Sequence, residues 1–449
     1  MPVCVGSGYG HGNLKAGMQE NARLWCFSPV SYPVGLGSFI LICNFAPISN
    51  LKKKTHTSIR TVMKIPAEFD AIRPYMPEEL PAAIESLMQD ERFQGVVARL
   101  YPDRSMEEVR QLFLSCPDNL AVQKTIFMPL LEQLERQCCK SLQADFGALP
   151  DKDKNYTFVS NHRDIVIDSA FLGLTLLRDG FPTTMEIAIG DNLLIYPWIR
   201  TLVRINKSFV VQRSVSLRQR LESSLLMSRY MHYVVREKHD NLWIAQREGR
   251  AKDSDDRTQE AVLKMLAMGG SGKTPVEQLA ELNIVPLTIS YEYDPCDVLK
   301  AVEFQQKRDN PAFRKSPADD LNNMQTGIFG YKGTVKYVVA PCINTWIEAY
   351  AALPKAEFFE AVARRMDREI HLRYNLCPVN YAAVDLLEGG SRFASYYTHD
   401  ERQEFEHYLH EKIRKADFAG KDTGFLFNTM LRMYANPLYN YLQAHESQV

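Results

Sequence analysis

The sequence predicts an α/β protein: a largely parallel, mixed sheet flanked by helices, with helical additions at both ends. Three observations carry this expectation. Short apolar runs of strand type recur between residues 156 and 343. Stretches with apolar residues at three- and four-residue steps lie between most of them, the alternation expected of parallel strands joined by crossover helices. On either side of this region the helical spacing continues without strand-like runs.

Residues 1–62 form a poorly patterned extension rich in Gly, Ser and Pro. It reads as a disordered tail, or as a stretch ahead of a functional start at Met63. Residues 63–149 form a helical N-terminal region. "PEELPAAIESLMQDERFQGVVARL", "SMEEVRQLFLSC" and "IFMPLLEQLERQCCKSL" carry helix-spaced apolar residues to about residue 146. "GALPDKDKN" (147–155) is a polar break containing proline. The α/β domain spans 150–345, with strands predicted at 156–160, 185–190, 208–213, 242–247, 284–293 and 334–343. Helices are predicted at 168–179, 192–205, 216–238, 256–268 and 275–282. Residues 346–449 return to helix pattern, as in "KAEFFEAVARRMDREIHLRY", and no repeat of solenoid period occurs.

Composition excludes several classes of function. With 53 basic and 54 acidic residues the chain lacks the basic excess of a nucleic-acid-coating protein. Nine cysteines are scattered without a C-x-x-C pair, which suits a reducing compartment and offers no structural zinc set. No apolar run approaches the ~20 residues of a spanning helix. "VGLGSFILICNFAPI" (34–48) is short and broken, and its basic residues follow rather than precede it, unlike a secretory signal. The expected location is cytoplasmic, with peripheral membrane contact.

"AMGGSGKTP" (267–275) fits the loose pattern of a phosphate-cradling loop. Such a loop needs a strand entering the glycines, whereas "RTQEAVLKMLAM" has helical spacing. Gly269 and Gly270 stand where a helix ends, and Thr274-Pro275 where the next begins. The stretch reads as a turn between helices.

The stronger signal is "YTFVSNHRDIVIDSAFL". A strand ends at Ser160, His162 and Asp164 follow, and Asp168 lies in the helical segment beyond. Ligands of open parallel sheets bind beyond the carboxyl ends of the strands. A histidine there, oriented by a carboxylate, is placed for general-base work. Other strands end in cations: "SFVVQR" at Arg213, and "LWIAQR" in Arg247, Glu248, Gly249, Arg250 and Lys252. Grouped guanidiniums suit bidentate phosphate binding, and Gly249 lets the backbone approach a ligand.

In this order "NHRDIVID", "SFVVQR", "REGRAK" and "IVPLTISYE" resemble the four sequence blocks of the glycerol-phosphate and lysophospholipid acyltransferases, over residues 150–345. The resemblance implies the fold of that family, with His162 as base on the acceptor hydroxyl and Asp168 orienting it. It implies Arg213, Glu248, Gly249 and Arg250 on the glycerol phosphate, and Pro286 near the acyl donor. Five residues separate His162 from Asp168 where the family has four. On a regular helix the extra residue turns the carboxylate by about 100°. The pair still meets if His162 precedes the helix; Asp164 is the alternative partner, or a helix cap. The third block lacks a residue between Gly249 and Arg250, so Arg250 or Lys252 could hold the usual cation's place.

The expected function is transfer of a fatty acyl group from acyl-CoA or acyl-carrier protein to a hydroxyl of glycerol 3-phosphate or its 1-acyl form. No metal and no cofactor beyond the thioester co-substrate is required. The competitors are a catalytically silent lipid- or CoA-binding protein, suggested by the altered spacing, an acyltransferase with an amine-bearing lipid acceptor, and a nucleotide-dependent phosphotransferase resting on the 267–275 loop alone. "NLLIYPWIRTLVRINK" (192–207) suits a helix in a bilayer interface, one lining an acyl groove, or a core helix covering the sheet. "HYLH" (407–410) puts two histidines on one helix face, read as solvated surface.

Overall fold

A computed structural model describes residues 65–212 and 217–446. The extension 1–62, the start at Met63 and Arg213 lie outside the described residues. Three helices open the fold: α1 (Leu80–Met88), α2 (Glu91–Leu100) and α3 (Met106–Leu114). The short α4 (Asn119–Val122) runs through a π-helical turn into α5 (Met128–Cys138). The alternating region follows: β1 (Cys139–Asp145), β2 (Thr157–Ser160), α6 (Ile167–Arg178), β3 (Met185–Gly190), α7 (Pro197–Ile205), β4 (Ser208–Val211), α8 (Leu217–Tyr233) and β5 (Asn241–Ala245). Helices α9 (Glu260–Met268) and α10 (Pro275–Ala280) lead to β6 (Ile284–Tyr291), then α11 (Asp297–Asp309), α12 (Pro317–Phe329) and β7 (Gly333–Val339). The chain closes with α13 (Lys355–His371), α14 (Pro378–Glu388), α15 (His399–Lys415) and α16 (Thr423–Glu446).

Among the described residues seven strands form one sheet in the order β1-β7-β6-β2-β5-β3-β4. The five from β6 to β4 are parallel, β7 is antiparallel to β6, and β1 is parallel to β7. The expected mixed, largely parallel sheet is present. The strands read as unbroken apolar runs because both faces are covered. Val159, Leu242 and Ile284 enter one core with α8, α9 and α13. Their neighbours Phe158, Trp243 and Val285 enter the opposite core with α6.

Sequence spacing predicts helix to about residue 146, but helix ends at Cys138 and β1 follows. "CKSLQAD" has little strand character of its own; parallel pairing with β7 outweighs its local preference. The sheet thus begins before residue 150. Beyond 345, α13 packs Phe358, Phe359, Val362 and Met366 onto the sheet. Helices α14 to α16 build a separate core that includes Ala301 of α11. The sequence reading names no helix between the last two strands, where α11 and α12 stand.

The 267–275 stretch is the expected turn. The Thr274 side chain accepts from Glu277 N–H and Glu277 returns the bond, a capping box with Pro275 at the first helical position. A Cβ on Gly269 would run into the Arg229 backbone, so this glycine serves close packing of α9 on α8.

Helix α7 buries Trp198, Ile199 and Ile205 in a core shared with α1, α2 and α3, with Trp198 5.9 Å from Phe93. Trp198 is therefore no interfacial anchor; this face is core, but it packs on the N-terminal helices and not over the sheet as expected. Ile199 and Val203 also line the cleft described below. Among the described residues no helix is long and apolar enough to cross a membrane.

Candidate active site

The register of the parallel strands brings the predicted loops to one edge. Ser160 of β2 lies opposite Ala245 of β5. His162 and Arg247, each two residues further on, therefore leave neighbouring strands at the same level. A cleft of about 600 Å³ opens there, lined by His162, Arg247, Glu248, Gly249, Arg250 and Lys252. Lys315 and Asp320 close it from the α12 side. The rest of its wall is largely apolar: Ile187 and Ile189 of β3, Ile199 and Val203 of α7, Met227 of α8, Val262 and Met265 of α9.

Residues 161–166 are not helical, so the 100° offset of an extra helical residue does not apply. Asn161 replaces a missing rung of the ladder: its side chain donates to the Ile289 carbonyl at 2.9 Å and accepts from Ile289 N–H at 2.7 Å. This pins the loop to β6. His162 Nδ1 then meets Asp168 Oδ2 at 2.8 Å. The same oxygen accepts from Arg163 N–H at 2.6 Å and Asp164 N–H at 3.0 Å, while Oδ1 accepts from the Tyr291 hydroxyl at 2.9 Å. Asp168 is fully buried and sits in the first turn of α6, where the helix dipole favours an anion. With Nδ1–H donating to the carboxylate, Nε2 is the ring nitrogen left for a ligand. The imidazole side chain is 14% exposed and packs edge-on against Trp243, whose Nε1–H donates to Ser160 Oγ at 3.0 Å.

Asp164 takes the capping role. Its Oδ1 accepts from Val166 N–H at 2.9 Å and Ile167 N–H at 2.8 Å. Burial, then the neighbouring Asp168 charge, raises its carboxyl above the usual range. Its other oxygen is pressed against Gly327 of α12, where a Cβ would overlap it. Gly327→Ala is expected to destabilise the chain by about 1–3 kcal/mol, the cost of overpacking, read by urea unfolding.

The third block divides by environment. Gly249 has φ +71°, a left-handed turn residue. Glu248 is exposed and its N–H donates to Gln259 Oε1 at 2.8 Å. Arg250 has a buried Nη1 with no hydrogen-bond partner among the described residues. Lys252 is half-buried and paired with Glu303, which also holds Lys307 at 2.7 Å. Burial lowers the Lys252 ammonium pKa, against the pull of Glu303. Of the two candidate cations, Arg250 has the capacity left for an anion.

Behind the loop Arg163 is buried between Asp294 (3.5 Å) and Asp256 (3.7 Å), and Lys300 pairs with Asp294. Burial opposes the Arg163 charge, but the two carboxylates outweigh it and raise its pKa. This network, Asn161, Trp243 and Tyr291 escaped sequence reasoning. Apart from the local Lys300–Asp294 pair, their partners lie 80 or more residues away, and only the strand order discloses them. Pro286, expected near the acyl donor, is buried in β6 beside Val159 and is not among the cleft-lining residues. His410 of the 407–410 pair stacks on Phe427 at 4.7 Å, and no metal-holding cluster occurs among the described residues.

No family model matches the sequence, and no curated protein matches it. Among solved structures the chain is similar to the 1-acyl-sn-glycerophosphate acyltransferase PlsC from Thermotoga maritima. The match has 13% identity and a TM-score of 0.33, over 65% of this chain and 95% of that one. A likeness that distant leaves function to be argued from the site.

Proposed function

We propose that the chain is an acyltransferase that moves a fatty acyl group from acyl-CoA or acyl-carrier protein to a hydroxyl of glycerol 3-phosphate or 1-acyl-glycerol 3-phosphate. The observation that carries the reading is the 2.8 Å His162–Asp168 pair at the wall of a cleft lined by both cations and aliphatic side chains.

In the proposed reaction Nε2 of His162 removes the proton of the acceptor hydroxyl as its oxygen attacks the thioester carbonyl. Asp168 stabilises the imidazolium that results. Collapse of the tetrahedral intermediate expels the thiolate, which takes the proton back from Nε2, giving an ester and a free thiol. Arg250, with its unpaired Nη1, is the proposed partner of the acceptor phosphate, and the aliphatic wall suits the acyl chain. Glu248, Gly249 and Lys252 shape the same rim, and Arg213 is carried as a further phosphate ligand from the sequence resemblance alone. The 1-acyl acceptor, with its apolar chain, would bring peripheral contact with a membrane surface.

The test is incubation of the protein with labelled palmitoyl-CoA or palmitoyl-carrier protein and each acceptor, an amine-bearing lipid included. Labelled lipid is expected from wild type and from Lys273→Ala, and not from His162→Ala. Equal turnover in His162→Ala would reject the base assignment. Thioester binding without product on any acceptor would favour the silent binder.

A further inference from the structure

We infer that Tyr291 is a positioning residue that sets the orientation of the Asp168 carboxylate toward His162. The inference rests on the acyl-transfer reading for its rate effects, and on geometry alone for the coupling. The two oxygens of Asp168 are held from different sources. Oδ2 takes the imidazole and two main-chain N–H groups of its own loop. Oδ1 takes the hydroxyl of Tyr291, the last residue of β6. β6 is the direct neighbour of β2, with Leu287 opposite Ser160, so Tyr291 projects past the end of β2 to the level of α6.

Asp168 and His162 are six positions apart across a loop, where no regular helix dictates the carboxylate's rotation. A second anchor from another strand supplies it. Without the hydroxyl, Oδ1 would be a buried acceptor lacking this donor, and the carboxylate would be free to turn and exchange its oxygens. Burial and the Asp168 charge push the Tyr291 phenol well above its usual range, so it stays a donor at all working pH.

Other groups face the pair. Arg163 and Asp164 flank it on the loop, and Asp256 and Arg247 lie on the segment after β5. Tyr337 of β7 bonds the Asp168 main-chain oxygen at 2.9 Å rather than the carboxylate. Tyr337 also touches the Tyr291 hydroxyl, so the control for loss of a buried hydroxyl is Tyr230, fully buried in the opposite core and bonded to Glu186.

The experiment compares wild type, Tyr291→Phe and Tyr230→Phe in the full chain. It reads the pH profile of kcat/KM and the titration of His162 by NMR of 13C-labelled histidine, assigned with His162→Ala. Tyr291→Phe is expected to lower kcat by about ten- to a hundredfold, the scale of a misoriented catalytic group, with the thioester KM within twofold. A carboxylate that has lost a donor holds the imidazolium proton more tightly. The acidic limb and the His162 midpoint therefore move up in pH together, and neither moves in Tyr230→Phe. 3-Fluorotyrosine at position 291, a stronger donor on the same ring, moves the midpoint down and keeps the inference testable if Tyr291→Phe does not fold. Superimposable titrations across wild type and the 291 variants, or an equal shift in Tyr230→Phe, would overturn it. If wild type acylates no acceptor, the acyl-transfer reading fails, and the NMR titration alone decides the role of Tyr291.

Discussion

His162→Ala is expected to slow acyl transfer about 10³–10⁴-fold, and Asp168→Asn by a similar factor. The two residues act as one device, so the double variant is expected to lose no more than about the larger single loss. The asparagine variant is the more informative. Its carboxamide can still accept the Arg163 and Asp164 N–H bonds that hold the loop. With its oxygen in the Oδ2 place it carries no charge to stabilise an imidazolium, and its NH₂ stands in the Oδ1 place toward the Tyr291 hydroxyl. Circular dichroism is expected to match wild type while initial rates of thiol release fall. Losses that multiply in the double variant would mean that His162 and Asp168 serve separate steps.

Lys300→Met is expected to cost about 3–5 kcal/mol of folding stability, the scale of breaking a buried ion pair from one side. Lys300 is 1% exposed, joins Asp294, and reaches the Arg163 carbonyl at 3.4 Å. Through it α11 is tied to the loop that carries His162. Burial alone would raise the Asp294 carboxyl, but Lys300 and Arg163 hold it at about 2. A carboxyl depressed in the folded state stabilises the fold above the unfolded pKa near 4, and that contribution disappears as the pH falls toward 2. In Lys300→Met the carboxylate loses its nearest cation and keeps Arg163 and the Cys296 N–H, and protonation relieves it. The gap between wild type and variant is therefore expected to narrow between pH 5 and pH 2, measured by urea unfolding. A loss under about 1 kcal/mol at pH 7, with no narrowing, would show the network to be dispensable to the fold.

Most strands were legible because burial on both faces leaves a run of apolar residues that no helical spacing imitates, as at Ile284–Tyr291. β1 was not, since "CKSLQAD" is a strand by virtue of its partner β7 and continues the spacing of the preceding helix. The turn at 267–275 was legible from capping chemistry, which is local. Trp198 was ambiguous because its composition fits an interface as well as a core, and packing with Phe93 chose the core.

By itself the sequence determined the class of fold, the strand-end position of His162 and the block of charge after β5. These depend on interactions within a few residues of one another, so chain order records them. Only the tertiary structure decided that Asp168 rather than Asp164 meets the imidazole, that Arg250 rather than Lys252 keeps an unpaired nitrogen, and that Tyr291 stands behind the pair. Spacing along a chain predicts direction only inside a regular helix or strand. Residues 161–166 are neither, and their path is set by two contacts from β6, Ile289 with Asn161 and Tyr291 with Asp168, each more than 120 residues away in sequence.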